Sequence, residues 1–322
     1  MSTATAIAHP NIALVKYWGK RDSTLNLPAT GSLSMTLDIF PTTTTVSLDE
    51  DAAGDVLVFN GDERADGPAE RVARFLDIVR DLAGSTVSAR VETVNTVPSA
   101  AGLASSASGF AALAVAAAHA YGLDLDARAL SRLARRGSGS ASRSIIPGFA
   151  VWHAGDSDET SFAEAVDAPD LAMVVAMVEK REKPVSSREA MRRTVLTSPF
   201  YAAWVSSTAE SLDAAAEACR AGDIERLGRI TEVNALRMHA LIQSCDPPIR
   251  YLSPVSVEIF DRVAALRDTG VGAWATADAG PNVVVLTRPE SVTAVTAALD
   301  GLAELAVARP GPAAALVTRA GE

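Results

Sequence analysis

Val97-Pro-Ser-Ala-Ala-Gly-Leu-Ala-Ser-Ser-Ala-Ser108 runs without a break into the apolar stretch Gly109–Tyr121. Small residues let backbone amides come close to an anion, and a helix N-terminus carries the partial positive charge that favours one. The segment reads as a loop that opens a helix and can cradle phosphate. It has neither the Lys-Ser/Thr of a Walker A loop nor the GxGxxG spacing of a dinucleotide fold. A tight loop packed against the following helix fits the same residues.

Upstream, Thr3–Ala8, Thr42–Leu48 and Val56–Phe59 alternate as strands, the last followed by the turn pair Asn60–Gly61. Glu70–Leu82 switches to helical spacing, with Val72, Phe75, Ile78, Val79 and Leu82 on one face, and Val87–Val94 returns to alternation. Downstream, a helix starts at Asp124 or Asp126, either of which can cap it, and ends at Arg136 before Gly137, with Leu130, Leu133 and Ala134 inward. Ala202–Cys219 and Ile224–Ser244 form a packed helix pair, buried through Ile224, Leu227, Ile230, Leu236 and Leu241. The order helix Val255–Arg267, strands Val271–Thr276 and Asn282–Thr287, helix Pro289–Leu299, strand Leu305–Ala308 predicts an α/β layer on an antiparallel sheet. The boundary between the halves falls near residue 180, giving units 1–180 and 181–322.

With 322 residues and 48% hydrophobic content the chain can bury a substantial core. Its 29 basic and 39 acidic residues leave a net charge of -10, which offers no broad positive field to nucleic acid or an anionic membrane. A small anion must then be held by a local basic cluster. Cys219 and Cys245 lie far apart with no CxxC spacing, so both are expected as reduced thiols. No run approaches the roughly 18 apolar residues of a membrane span, and the N-terminus has no leader pattern, so a cytoplasmic protein is expected. Ala111–Ala118 reads as part of a buried helix.

Four further segments carry chemistry. Ala13-Leu-Val-Lys-Tyr-Trp-Gly-Lys-Arg-Asp22 ends an apolar strand in cations and two large aromatics, and Lys16, in step with the apolar positions, is costly to bury without an anionic partner. Arg135-Arg-Gly-Ser-Gly-Ser-Ala-Ser-Arg-Ser144 presents hydroxyls and Arg143, whose fork suits a carboxylate or phosphate. Lys183-Pro-Val-Ser-Ser-Arg188 is a second cluster of hydroxyls and cations. Thr276-Ala-Asp-Ala-Gly-Pro-Asn282 puts Asp278 at a turn between two strands. Each has an ordinary reading as a strand end, a surface turn or a structural aspartate. His239, on a helix face, is expected to be packed or hydrogen-bonded.

Taken in order, His9-Pro-Asn-Ile-Ala-Leu-Val-Lys-Tyr-Trp-Gly-Lys20, Ala101-Gly-Leu-Ala-Ser-Ser-Ala-Ser108, Arg136-Gly-Ser-Gly-Ser-Ala-Ser-Arg143 and Asp278-Ala-Gly-Pro-Asn282 resemble the diphosphomevalonate decarboxylase family of the GHMP kinase superfamily. The resemblance implies an α+β, GHMP kinase-like two-domain fold, its N-terminal part ribosomal protein S5 domain 2-like and its C-terminal part ferredoxin-like. It implies conversion of mevalonate diphosphate, with ATP and Mg2+, to isopentenyl diphosphate, ADP, phosphate and carbon dioxide, and commonly a homodimer. A tertiary hydroxyl is a poor leaving group and its phosphate a good one, so phosphorylation precedes decarboxylation. By the same likeness Asp278, Lys16 and Arg143 are catalytic. Tyr17, Trp18, Lys20, Ser138, Gly139, Ser140, Ser187, Arg188, Met191 and Ala279 hold the substrate, and Ser99, Ala101, Gly102, Leu103, Ala104, Ser105, Ser106 and Lys183 surround ATP. No metal ligand from the protein is assigned.

Three positions depart from the family's pattern: Ile146-Pro147-Gly148 stands for an aromatic and two glycines, Ala277 for a methionine, and Val284 for a lysine. They bear on which phosphorylated 3-hydroxy acid is held. The competing readings are a superfamily kinase or a decarboxylase acting on mevalonate monophosphate, a non-catalytic binding protein, and a nucleic-acid surface built on Arg132, Arg135 and Arg136.

Overall fold

The structure is a computed structural model describing residues 2–96, 105–179 and 185–317. The first half comprises β1 (Thr3–Ala8), β2 (Asn11–Val15), β3 (Lys20–Asp22), β4 (Leu27–Pro28), β5 (Ser32–Thr36), β6 (Thr42–Asp49), β7 (Val56–Phe59), β8 (Asp62–Arg64), α1 (Gly67–Ala83) and β9 (Ser88–Asn95). There follow α2 (Ser105–Ala120), α3 (Ala127–Gly137), α4 (Ala141–Ser144), β10 (Phe149–Trp152), β11 (Ala163–Ala165) and β12 (Ala172–Met177). The remainder is α5 (Ser187–Thr197), α6 (Tyr201–Ala221), α7 (Ile224–Gln243), α8 (Pro254–Asp268), β13 (Ala273–Ala277), β14 (Val283–Thr287), α9 (Val292–Leu299), β15 (Glu304–Ala308) and β16 (Ala315–Leu316).

Local chemistry accounts for most boundaries. Asn60 and Gly61 both take positive φ (51° and 90°), the two-residue turn that suits the twist of the β7–β8 hairpin. The Asp126 side chain accepts the Ala129 amide at 2.7 Å and so starts α3. Two helix faces are rotated from the periodicity. Leu82 is 57% exposed, because α1 buries Phe75, Leu76 and Val79 instead, and Leu236 is 45% exposed while α7 turns Ala235 and Met238 inward.

Three larger sheets result, ordered β16-β1-β6-β9-β7-β8, β11-β10-β5-β2 and β13-β14-β12-β15. The Ala-rich α2 lies across β1 and β6, and its small residues allow that close approach. In the third sheet alternation divides two cores: Val174, Ala176, Val283 and Val285 face α8 and α9, whereas Met173, Val175, Val284 and Leu286 join Leu14, Leu33 and Met35 of the second sheet. That second core is continuous between the halves of the chain. Position 284 is therefore an interior one, and Val284 is 3% exposed. Pro147, by contrast, is exposed, and Ala277 is fully buried at the end of β13. Cys219 and Cys245 are free and buried. Among the described residues no helix is long and apolar enough to cross a membrane.

The arginines weighed as a nucleic-acid surface are occupied internally. Arg132 and Arg135 pair with Asp158, with Arg136 at 3.8 Å, and the Arg135 side chain is wholly buried. Removing the one carboxylate leaves a buried guanidinium uncompensated, which costs about 3–5 kcal/mol. Asp158→Ala is expected to lower the free energy of unfolding by that amount, read as a lower urea midpoint at an unchanged m-value; a loss below about 1 kcal/mol would show the cluster to be ornamental.

Candidate active site

Where β2 ends, Lys16 turns inward with 1% of its side chain exposed. Its backbone N–H donates to Asn234 Oδ1 at 2.8 Å, and Nζ donates to the Ala13 carbonyl at 2.8 Å and to Asp278 Oδ1 at 2.7 Å. Burial pulls the ammonium below the usual lysine range, and Asp278 counters it. The partner carboxylate follows β13 and is 31% exposed, so it faces both the ammonium and the opening. Its turn is tied down by Asn282, whose Oδ1 accepts the Val178 and Glu179 amides at 2.7 and 3.1 Å.

Arg143 comes from the short α4, and its side chain is also buried. Nε and Nη2 donate to Asn11 Oδ1 at 3.3 and 3.1 Å, and Nη1 donates to Ser32 Oγ. Asn11 is held in turn, donating to the Ser140 carbonyl at 3.0 Å and to Ser144 Oγ at 2.8 Å. Among the described residues no carboxylate lies within ion-pair distance of Arg143. Burial lowers its pKa to about 10, with Asp278 and Tyr17 opposing. A buried cation without a counter-ion is stabilised when a ligand brings one.

Around this pair stands a wall of further cations and hydroxyls. Lys20 is lowered to about 8, first by burial and then by Arg188 and Arg71. Arg71, on α1, lies over the Phe110 ring 4.9 Å from its centroid, is lowered to about 10 by burial and by Arg188, and leaves its Nε without a partner among the described residues. Ser106, Ser138 and Ser140 form a row of hydroxyls spaced 3.2 and 3.4 Å apart. Tyr17 packs edge-on against Trp152 at 4.8 Å, its hydroxyl buried without a described partner and its pKa raised by burial. Gly139 permits this contact: a Cβ there would stand 2.9 Å from both rings.

The other sequence candidates divide. Ser187 and the exposed Arg188 open α5 behind the Ser186 cap, and the fields of Arg188 on Lys20, Arg71 and Tyr17 show that it borders the same space. Trp18, Met191 and Ala279 belong to an apolar cluster with Trp204 and Tyr251, and the Trp18 carbonyl accepts from Trp204 Nε1 at 3.0 Å. Ser99, Ala101, Gly102, Leu103, Ala104 and Lys183 lie outside the described residues, as does the side chain of Ser105. Sequence reasoning missed Asn11, Ser32, Asn234 and Arg71. Asn11 opens a strand otherwise apolar, a signal available in the sequence, whereas Ser32 alternates with other hydroxyls in β5, and Asn234 and Arg71 look like any polar residue on an amphipathic helix.

Lys16 and Arg143, from the end of β2 and from α4, thus face one carboxylate, with Lys20, Arg71 and Arg188 from β3, α1 and α5 clustered near Tyr17, in a protein whose overall charge is -10. With a helix opening at Ser105 beside it, this is the arrangement of an α+β enzyme that handles phosphorylated anions, the GHMP kinase class. Residues 8–163 match the diphosphomevalonate decarboxylase-like N-terminal domain and residues 173–308 the mevalonate 5-diphosphate decarboxylase C-terminal domain. The diphosphomevalonate decarboxylase of Ganoderma lucidum is 37% identical over 90% of this chain and 79% of its own. The structure of MDDEF in complex with MVAPP, AMPPCP and magnesium superposes with TM-score 0.94 at 46% identity, over 98% of this chain and 99% of that one. Mevalonate diphosphate decarboxylase from Staphylococcus aureus gives 0.95 at 39%, over 98% of each. The chain belongs to the diphosphomevalonate decarboxylase family.

Proposed function

We propose that the protein phosphorylates the tertiary hydroxyl of mevalonate 5-diphosphate with ATP and then releases phosphate and carbon dioxide to give isopentenyl diphosphate. The observation that carries this reading is the 2.7 Å Lys16–Asp278 pair standing beside Arg143, a buried cation with no carboxylate of its own among the described residues. A kinase needs a base and a phosphate cradle, whereas the unpaired guanidinium supplies a place for a second anion, the carboxylate that is lost. The kinase and monophosphate alternatives lack that support from the relatives, which are named as acting on the diphosphate.

In this reading Asp278, exposed on one side, takes the hydroxyl proton, a role that depends on its position. Lys16 holds that carboxylate in place and offsets charge as the phosphoryl group transfers. Arg143, held by Asn11 and Ser32, aligns the substrate carboxylate for departure. Tyr17, Lys20, Ser138, Gly139, Ser140, Ser187 and Arg188 grip the substrate's anionic end, with Arg71 added from the geometry, while Trp18, Met191 and Ala279 form its apolar floor. Ser105, Ser106 and the segments carrying Ser99, Ala101–Ala104 and Lys183 are assigned to ATP. Among the described residues no group of three or more His, Cys, Asp or Glu could hold a metal. Mg2+ keeps several of its waters and is held largely through substrate phosphates. It would supply charge neutralisation on the phosphates of ATP. We also place the protein in the cytoplasm, as a homodimer, in keeping with its two unpaired cysteines, and propose that the chain divides near residue 180, after β12.

Incubation with ATP, Mg2+ and mevalonate diphosphate should yield ADP, carbon dioxide and isopentenyl diphosphate in equal amounts by mass spectrometry. ADP with a phosphorylated acid and no carbon dioxide would make it a kinase. Turnover of mevalonate monophosphate alone would move the substrate.

The lowered pKa of Lys20 gives a pH test. The side chain is cationic below about pH 8 and neutral above, so its hold on an anion is present at neutral pH and lost on the alkaline side. KM for the diphosphate is expected to rise roughly tenfold between pH 7 and 9. Lys20→Arg, charged throughout, should flatten that rise; an identical rise in the variant would place the titration elsewhere.

A further inference from the structure

Lys16 and Asp278 come from different sheets, one at the end of β2 and the other just past β13, and among the described residues no strand pairing joins those sheets. The helix α7 packs on both strands. On it, Asn234 and His239 are each almost fully buried, with 1% and 2% of their surface exposed. Five residues along a helix rise about 7.5 Å and turn through about 140°, so the two side chains leave the helix in different directions, as a helix seated between two sheets requires.

Each meets one of the strand ends. Asn234 Oδ1 accepts the Lys16 amide at 2.8 Å. His239 Nε2 lies 3.3 Å from the carbonyl of Ala277, the residue immediately before Asp278. A carbonyl oxygen only accepts, so Nε2 must carry the proton.

We propose that α7 sets the reach between Lys16 and Asp278, with His239 the positioning residue for the base and Asn234 its counterpart for the lysine. The proposal rests on those two residues forming the reacting pair. His239 touches neither substrate nor reacting atoms; it fixes the backbone from which the carboxylate hangs. The ring stays neutral, lowered to about 4 by burial and then by Lys16, against weaker opposing effects of the Ala277 and Asp278 backbone and the Asp278 charge. Neutrality matters here, since a second cation would compete with Lys16 for the one carboxylate.

A displacement of about 1 Å in a reacting group can cost on the order of 100-fold in rate. His239→Leu, which removes the donor at similar volume, is therefore expected to lower kcat about 100-fold while KM for mevalonate diphosphate and for ATP stays within about threefold. His239→Gln places an amide N–H at the same reach and should restore kcat to within about tenfold of wild type. The same substitutions on an Asp278→Asn background should cost almost nothing further, because there is no base left to place. Where the Leu variant fails to fold, His239→Met takes its place, folding being checked by near-UV circular dichroism. Equal losses for Leu and Gln, a loss confined to KM, or an undiminished kcat in His239→Leu would each overturn the proposal. Wild-type turnover by Asp278→Asn alone would instead remove the reacting pair on which it rests.

Discussion

Asp278→Asn is expected to lower kcat by at least a thousandfold while leaving ATP affinity within about threefold of wild type. The asparagine keeps the shape of the side chain and can still accept from Lys16 Nζ, which lies 2.7 Å from Asp278 Oδ1. It cannot take a proton from the substrate hydroxyl, and loss of a general base alone costs roughly 10²–10⁴-fold. A second loss follows from burial, because Lys16, 1% exposed, is left without its counter-charge. Breaking a fully buried pair costs about 3–5 kcal/mol, and the 31% exposure of the carboxylate brings the expected destabilisation down to about 1–2 kcal/mol. Adding Lys16→Met should then recover stability without recovering turnover. Steady-state ADP release, nucleotide titration and urea unfolding measure the three quantities. Near-normal turnover in Asp278→Asn would remove the aspartate from the role of base.

That pair also marks what a sequence discloses. Lys16 was legible as half of something, since a lysine in step with Ile12, Leu14 and other inward residues requires an anion. Which anion was not legible from spacing, for Asp278 lies 262 residues further on, and the fold brings it there through the core shared by the second and third sheets and the packing of α7 on both. The glycine- and serine-rich turn carrying Arg143 was visible because small residues next to a guanidinium have little to do in a core. Arg71 was not, since a helix with Arg and Glu every few residues looks solvated, and only the approach of α1 to Phe110 and Gly137 turns this one arginine inward. Leu82 and Leu236 fail for a related reason. Periodicity identifies a stripe, but the residues covered are Phe75, Leu76 and Val79 in α1 and Ala235 and Met238 in α7. Of the departures from the family's pattern, Val284 sits in the shared core and Pro147 in solvent, so neither places its side chain among the site's cations.

Arg143→Gln is expected to lower kcat/KM about a thousandfold and yet leave the protein as stable as wild type, or more so. Most losses of a well-bonded buried arginine unfold a protein because they orphan a carboxylate. Here the described residues offer no carboxylate to orphan; the guanidinium is held by Asn11 Oδ1, Ser32 Oγ and the distant field of Asp278. Burial opposes the charge of Arg143 in the folded protein more than its neighbours favour it, and its pKa falls to about 10. Replacing the cation with a neutral amide that can still donate to Asn11 removes that opposition. In the bound state the balance reverses, because a carboxylate placed against the guanidinium makes a charge-assisted pair in a site closed to water, worth several kcal/mol when lost. A melting temperature within two degrees of wild type or above it, together with the thousandfold loss, would establish Arg143 as a charge held for the substrate. A variant that melts well below wild type would show that the arginine serves the fold, and a variant that still decarboxylates at the wild-type rate would move the substrate carboxylate to another cation.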